Sequence, residues 1–187
     1  IVRAHPEWLA VPRALSAELF DVSPWDPIFV ERLRKYAADN SGTVEGVYTS
    51  PSDARVKERV RSVWLDLASR YDLDGIHFDY IRFPSGDFDY SRGALERFRR
   101  WVTPRLSPGR RAELAAAYAG DPLAYVDALS GPWAEFRREH VTELVRWVYH
   151  GIKARRPELV VSAAVFSNQE DAFRNRYQDW PAWLEEG

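Results

Sequence analysis

The most informative segment of the chain lies between positions 71 and 84 and reads Tyr71-Asp72-Leu73-Asp74-Gly75-Ile76-His77-Phe78-Asp79-Tyr80-Ile81-Arg82-Phe83-Pro84. A helix is predicted to end at the first of these residues, a tight turn follows, and an apolar strand begins at Gly75. Side chains alternate between the two faces of a strand, so His77 and Asp79 share one face. A strand with apolar residues on both faces is typical of a parallel sheet held between other layers. We therefore expect residues 75–81 to form a parallel strand that is buried on both faces.

His77 and Asp79 are then two polar side chains on one face of a buried element. Burying a polar group without a partner costs about 2–7 kcal/mol, so each must be paired or must open onto a cavity. Asp79 lies toward the carboxyl end of the strand, where α/β folds place their chemistry. This position makes Asp79 the first candidate for a catalytic residue. The alternative is a buried acid that pairs with Arg82 or with a neighbouring strand.

Composition limits the class of protein. The chain has 187 residues, 45% hydrophobic and 29% charged, which fits one globular domain or part of one. Its mean hydropathy of -0.44 excludes a membrane protein. The formal net charge of -2 offers no electrostatic reason to expect nucleic acid or an anionic membrane as a partner. The absence of cysteine excludes disulfides, thiolate zinc sites and cysteine catalysis. Because the chain starts at Ile1 and contains no methionine, we expect a mature product or an excised piece.

Two apolar strands, each preceded by a helix, are predicted along the chain. Helices are expected from Ser23-Pro24 to about 40–42, from Pro51-Ser52 to Tyr71, from about 132 to Arg156, and after Asp179; strands are expected over 75–81 and 159–166, with a weaker candidate over Val44–Thr49. This order predicts parallel strands with helices outside, as in a doubly wound sheet or a (β/α)8 barrel. Neither strand is followed by a glycine-rich phosphate loop, so the nucleotide-binding sheet loses support. A full barrel takes about 250 residues, so the chain is expected to cover only part of one.

Residues 82–131 are predicted to form a loop and short helices inserted between the two strands. The segment opens with a run rich in Asp, Gly, Pro and Ser, and long loops at the carboxyl ends of strands are often functional. Asp87 and Asp89 could hold a cation, but two acids in a polar loop are more often solvated. We expect this insertion to flank or cover the site on the side of the sheet that carries Asp79.

Residues Asp74 to Pro84 closely resemble the signature strand of the glycosyl hydrolase-like 10 family, a barrel family first known as a domain of unknown function. The resemblance continues in Tyr48-Thr49-Ser50-Pro51, in the helix from Trp133 to Pro157, in Ser162 to Phe166 and in the segment from Gln178 to Gly187. It implies a (β/α)8 TIM barrel that cleaves glycosidic bonds, with bacterial cell-wall glycan as the substrate and an extracytoplasmic location. It also implies that this chain is the middle of the barrel, with the first strands before Ile1 and the closing strands after Gly187.

The same resemblance assigns roles around Asp79. In alpha-amylase-like barrels a similarly placed strand ends in the nucleophilic Asp, and Asp79 matches that position. In chitinase-like barrels the acid is a Glu two residues further on, where this chain has Ile81, so a chitinase mechanism is not expected. Glycoside hydrolysis normally needs two carboxylates, and no Glu at these strand ends is an obvious general acid. Glu170 is conceivable, but the partner is assigned to the missing strands.

Six further residues are predicted to bind substrate. His77 is expected to orient Asp79 or a sugar hydroxyl, with a satisfied core histidine as the alternative. Tyr80 and Arg82 lie at the strand exit, where Arg82 could bind a carboxylated or N-acetylated sugar or pair with Asp79. The other three are near the second strand: Asn168 and Gln178 could hydrogen-bond sugar hydroxyls, and Asp179 is first of all a helix N-cap. Asp74, at the opposite end of the first strand, is interpreted as a turn residue.

Three functional classes remain open from the sequence. The first is a hydrolase acting on a polysaccharide, with no cofactor and no metal. The second is a non-catalytic glycan-binding barrel in which Asp79 and His77 only bind sugar. The third is a metal-dependent hydrolase or deacetylase using the same two residues, for which the sequence offers no further ligands. Nucleic acid and membrane insertion are not expected in any of them.

Overall fold

The computed structural model describes residues 2–186, which form a helix-rich α/β structure with one small parallel sheet. The elements follow in the order α1 (Arg13–Leu19), α2 (Pro27–Asp39), α3 (Ala54–Arg70), β1 (Gly75–Phe78), α4 (Arg92–Val102), α5 (Pro108–Tyr118), α6 (Ala124–Ala128), α7 (Ser130–Lys153), β2 (Val160–Ala163), α8 (Gln169–Asp171) and α9 (Trp180–Glu185). Short 3-10 turns cover Pro6–Trp8 and Thr103–Arg105, and a π-helical turn covers Ala172–Arg176.

These elements separate into two compact units. The first contains residues 2–50 and 87–136, and the second contains residues 51–86 and 137–186. Each unit is therefore built from two pieces of chain that are distant in sequence. The segment 82–131, predicted as one insertion, is divided between them, because its residues from 87 onward pack with the amino-terminal segment.

The core of the first unit is an aromatic cluster centred on α4. Ser91 caps this helix by accepting a hydrogen bond from the Ala94 N–H. Phe98 is fully buried, and its ring centroid lies 4.9 Å from that of Trp133 and 5.5 Å from that of Phe136. Aromatic residues bury large apolar areas and add ring–ring contacts, so this cluster supplies much of the hydrophobic stabilisation of the unit.

Asp89 is a buried structural acid of the first unit. Its Oδ1 accepts from the Val11 N–H at 2.9 Å and from the Ser91 N–H at 2.8 Å, and its Oδ2 accepts from the Ser91 hydroxyl at 3.1 Å. The prediction of a solvated acid is wrong for this residue, which is 1% exposed. Because its carboxylate satisfies backbone donors, Asp89 connects residues 89–91 to the amino-terminal segment instead of holding a cation.

Two predictions for the amino-terminal half are wrong in detail. Helix α2 begins at Pro27 rather than after Ser23-Pro24, because the Asp26 carboxylate accepts from the Ile28 N–H and so satisfies a first-turn donor. The strand expected over Val44–Thr49 is reduced to a single antiparallel bridge between Leu9 and Thr49. Pairing at one position does not make a ladder, so residues 44–49 remain a loop.

The second unit contains the sheet. β1 and β2 pair in parallel, with Gly75 opposite Val160 and Phe78 opposite Ala163, so the predicted parallel neighbours are confirmed. Ile76 and Phe78 pack on α3 and α7 in a core that includes Leu65, Ala68, Leu144, Val148, Ile152 and Leu159. The predicted burial of both faces is wrong, because Gly75, His77, Val160 and Ser162 are exposed. The two helices cover one face of the sheet only.

Gly75 is required where the two strands meet. A Cβ at this position would lie 2.9 Å from the carbonyl oxygen of Val160 and 3.3 Å from its Cβ. Any side chain would therefore push the strands apart at the first paired position. The glycine of the Asp74-Gly75 turn sets the start of the β1–β2 register.

A buried lysine joins α3 to α7 within the second unit. The Nζ of Lys57 lies 3.2 Å from the Nδ1 of His140 and donates to the Oε2 of Glu143, and the lysine side chain is almost fully buried. Burial alone would raise the pKa of the Glu143 carboxyl, but the hydrogen bond and charge of Lys57, together with His140, hold it below its usual value. The positive charge of Lys57 is thus balanced by the negative charge of Glu143.

Glu143→Gln is expected to lower the free energy of unfolding by about 1–2 kcal/mol at pH 7, since a buried ammonium loses its charged acceptor. The lowered pKa means that Glu143 contributes stability above the unfolded glutamate pKa of about 4.3 and loses it as the pH falls further. Urea unfolding at pH 7 and at pH 3.5 measures the difference, which should shrink at the lower pH. Glu58→Gln, on the exposed side of α3, is the control and should cost little. An equal loss at both pH values would contradict the ion pair.

Candidate functional site

Asp79 lies immediately after the last paired residue of β1. The strand exit is held by a hydrogen bond from the Ala164 N–H to the Phe78 carbonyl oxygen, at 2.8 Å. Asp79 is exposed, as is His77 two residues earlier, whereas Ile76 and Phe78 between them are buried. The alternation therefore places Asp79 on the face that the helices leave uncovered. The alternative of a buried acid that pairs with Arg82 or with a neighbouring strand does not fit this exposure.

Tyr80 marks a sharp change in backbone direction at this exit. Its φ is 54°, in the left-handed region, and its N–H donates to the Asp79 Oδ1 at 2.9 Å. A non-glycine residue in this conformation costs about 1 kcal/mol or more, and such strain is common at functional sites. The turn also explains why β1 ends at Phe78 and not at residue 81. It leaves the Tyr80 side chain 51% exposed.

Arg82 lies between two aromatic rings at the same exit. Its guanidinium carbon is 5.1 Å from the centroid of Tyr80 and 5.4 Å from that of Phe166, which follows β2. The guanidinium carbon of Arg176 is 4.4 Å from the same Phe166 ring, and its Nη1 donates to the Pro84 carbonyl oxygen. Stacking on a ring fixes the plane of a guanidinium group. Two cations and two aromatic rings are thus grouped beside the loop that follows Asp79.

His77 and Ser162 face each other across the two strands. They are register partners, and the His77 Nδ1 lies 2.9 Å from the Ser162 Oγ. Both residues are exposed on the face that carries Asp79. The sequence pattern does not single out Ser162 as the partner of His77, because the register that brings the two together is set by tertiary structure.

Gln178 does not fit the predicted role of a sugar ligand. It is fully buried, its Nε2 donates to the carbonyl oxygens of Ile81 and Ala164 at 3.3 and 3.1 Å, and its Oε1 accepts from the Phe166 N–H at 3.2 Å. The backbone leaves the sheet at these positions and needs new partners. Gln178 supplies them and so joins the exit of β1 to the exit of β2.

Three other predicted residues lie along the chain after β2. Asn168 is exposed, and its Oδ1 accepts from the Asp171 N–H at 2.9 Å, which caps α8. Asp179 stands at the N-cap position of α9, but its side chain makes no cap hydrogen bond, so the predicted capping role is wrong. Glu170, the conceivable second acid, is exposed and forms an ion pair with Arg174 at 3.0 Å. The structure thus groups Asp79, His77, Tyr80 and Arg82 around the exit of β1.

A shallow apolar pocket of about 190 Å³ opens beside the outer edge of β2. Its walls include Val161, Ala163, Trp180 and Trp183, and Val160 at the start of the strand is 61% exposed. Trp183 is fixed by a hydrogen bond from its Nε1 to the Thr142 hydroxyl, at 2.9 Å. Apolar side chains beside a strand edge suit packing against a further strand or helix.

Comparison with known protein families matches residues 7–187 to the family described as glycosyl hydrolase-like 10. The chain belongs to the glycosyl hydrolase-like 10 family. The resemblance of residues 74–84 to that family is therefore confirmed. None of the curated proteins matches the chain significantly.

Membership of the glycosyl hydrolase-like 10 family points to a glycan as the substrate class. Within residues 2–186, no three side chains of His, Asp or Glu converge as ligands for a metal ion. In the same part of the chain, none of the helices combines the length and the apolar character needed to span a bilayer. The family assignment and the exit of β1 are therefore the two findings on which a functional proposal can rest.

Proposed function

We propose that the chain is the middle part of a (β/α)8 barrel glycosidase that cleaves glycosidic bonds in a polysaccharide, with bacterial cell-wall glycan as the substrate. The observation that carries the proposal is Asp79: an exposed carboxylate at the carboxyl end of a parallel strand, followed by a strained tyrosine. Catalytic groups of (β/α)8 barrels lie at this end of the strands. Because cell-wall glycan lies outside the cytoplasmic membrane, the proposal includes an extracytoplasmic location.

Two features of the second unit support the barrel. Helices cover one face of the β1–β2 pair, and the other face is polar and exposed at His77 and Ser162. The apolar pocket beside β2 would be filled by the next parallel strand and its helix. Strands from the full-length protein, before Ile1 and after Gly187, would complete the sheet on either side of β1 and β2, as the family resemblance implies.

Asp79 would act as the nucleophile or as the anion that stabilises an oxocarbenium-like transition state. A second carboxyl group must protonate the leaving oxygen, and water then replaces the leaving group at the anomeric carbon. The acids nearest along the chain to the exit of β2 are already used: Glu170 pairs with Arg174, and Asp171 accepts from Asn175 and lies 3.9 Å from Arg176. The proton donor is therefore assigned to the strands outside this chain.

A non-catalytic glycan-binding protein is the second candidate. The exposed Tyr80 ring beside the Arg82 guanidinium could hold a sugar without any chemistry. A second carboxyl group about 5–10 Å from Asp79 in the full-length protein would favour the enzyme, and its absence would favour the binding role.

The test is incubation of the purified full-length protein with denuded glycan strands, followed by measurement of new reducing ends. We expect reducing ends to increase with time and enzyme concentration. Strands that are retained by the protein without new reducing ends would support the binding role. If the protein neither binds nor cleaves the strands, the proposal is overturned. Amylose and chitin, treated in the same way, show whether the activity depends on the cell-wall glycan.

A further inference from the structure

The cross-strand pair of His77 and Ser162 is a direct polar contact on the exposed face of the sheet. The two residues occupy the same register position, and 2.9 Å separates the ring Nδ1 from the hydroxyl oxygen. The neighbouring register pairs, Ile76 with Val161 and Phe78 with Ala163, are apolar and point to the helices. A single polar pair on this face is thus placed directly below Asp79 in the strand.

The contact uses one ring nitrogen and leaves the other for a ligand. A neutral imidazole has one N–H donor and one acceptor nitrogen, and the partner of the first determines which hydrogen-bond role the second plays. A serine hydroxyl can donate or accept, but an unprotonated imidazole nitrogen is a stronger acceptor than an alcohol oxygen. The favoured arrangement is donation from the Ser162 hydroxyl to Nδ1, which puts the ring hydrogen on Nε2.

We propose that Ser162 is a positioning residue that holds His77 with its Nε2–H directed toward a glycan oxygen bound next to Asp79. This inference rests on the proposed function, because the ligand is the glycan of the same site. Successive residues on one face of a strand are about 6.6 Å apart, so a sugar at Asp79 is within reach of the ring. A fixed ring also binds at a lower entropic cost than one that rotates freely.

A positioning role and a purely structural role predict different effects of Ser162→Ala on folding, on the histidine ring and on glycan affinity. A single hydrogen bond contributes only about 0.5–1.5 kcal/mol to folding, so its loss alone should lower the melting temperature slightly. Ser162→Ala should therefore leave thermal unfolding nearly unchanged while it changes the histidine ring and glycan affinity. Ser162→Thr keeps a hydroxyl on a residue that suits strands, and it should restore both properties.

The first experiment follows the ring itself in the full-length protein labelled with 15N-histidine. This chain contributes 4 histidines, and His77→Gln identifies the signals of His77. We expect the Nε2–H tautomer in the wild type and in Ser162→Thr, and a mixture of tautomers in Ser162→Ala. Ser62→Ala removes an exposed hydroxyl that donates to the Arg59 carbonyl oxygen and serves as the control. A wild-type ring protonated at Nδ1, or one unchanged by Ser162→Ala, would overturn the proposal.

The second experiment measures affinity for denuded glycan strands in a double-mutant cycle. Ser162→Ala should weaken binding about fivefold, in the range expected for one lost hydrogen bond, and should have almost no further effect in a His77→Ala background. Independent effects of the two substitutions would overturn the positioning role. Failure of the wild type to bind glycan overturns the proposed function and with it the ligand contact, whereas the nitrogen spectra decide separately whether Ser162 orients the ring.

Discussion

Asp79→Asn in the full-length protein is expected to lower glycan turnover by at least about 100-fold, which corresponds to about 2.7 kcal/mol of transition-state stabilisation. The substitution keeps the shape of the side chain but removes the negative charge. An oxocarbenium-like transition state carries positive charge at the anomeric carbon and depends on that anion. Turnover is measured as the rate of new reducing ends from denuded glycan strands.

Folding should be almost unaffected by this substitution. Asp79 is exposed, and the backbone contact of its Oδ1 with the Tyr80 N–H is one that an asparagine oxygen can also make. A loss of turnover with an unchanged melting temperature therefore reports on chemistry alone.

Asp74→Asn is the matched control for Asp79→Asn. Asp74 is also exposed and lies at the amino-terminal end of β1, opposite the carboxyl end at which α/β folds place their catalytic groups. Its carbonyl oxygen accepts from the Val160 N–H, and that backbone contact survives the change of side chain. We expect wild-type turnover from this variant. Near-wild-type cleavage by Asp79→Asn would instead move Asp79 from a catalytic role to a structural one.

Helices α3 and α7 are predictable from sequence because they depend on local patterns, and the parallel direction of β1 and β2 follows from the helix that precedes each strand. The apolar spacing of α3 and α7 can be read along the chain. The residues at which the strands end cannot be predicted in this way. The left-handed Tyr80 terminates β1, and a tyrosine gives no sign of a positive φ in the sequence. The predicted strand of residues 75–81 was therefore too long by three residues.

Around the site, the sequence predicts which face of the strand a residue occupies but not its hydrogen-bond partner. Alternation along β1 places His77 and Asp79 on one face, and their exposure agrees with it. Hydrogen-bond partners depend on which segments meet in three dimensions, so the pairing of His77 with Ser162 and the burial of Gln178 cannot be predicted from one sequence. Polar residues in polar segments, such as Gln178, are then misread as surface residues.

The second large effect concerns Gln178. Gln178→Leu is expected to lower the free energy of unfolding by about 3 kcal/mol, because the Phe166 N–H and the carbonyl oxygens of Ile81 and Ala164 lose their partner inside the protein. Leucine fills a similar volume, so the loss reports on hydrogen bonding and not on a cavity. Urea unfolding followed by circular dichroism measures it. Gln169→Leu, at an exposed position of α8, is the control and should change stability by less than about 0.5 kcal/mol.

A second substitution at the same position adds a pH signature. Gln178→Glu keeps the size of the side chain but buries a carboxyl group, and burial raises the pKa of an acid above its unfolded value of about 4.3. The folded protein then binds its proton more tightly than the unfolded chain, so the stability of this variant should fall as the pH rises from about 4 to 7. A stability that does not depend on pH, or an unchanged hydrogen-exchange rate of the Phe166 amide in Gln178→Leu, would show that Gln178 does not join the two strand exits. Loss of that junction should also move Arg82 and Phe166 apart and reduce glycan affinity, although the Gln178 side chain is fully buried.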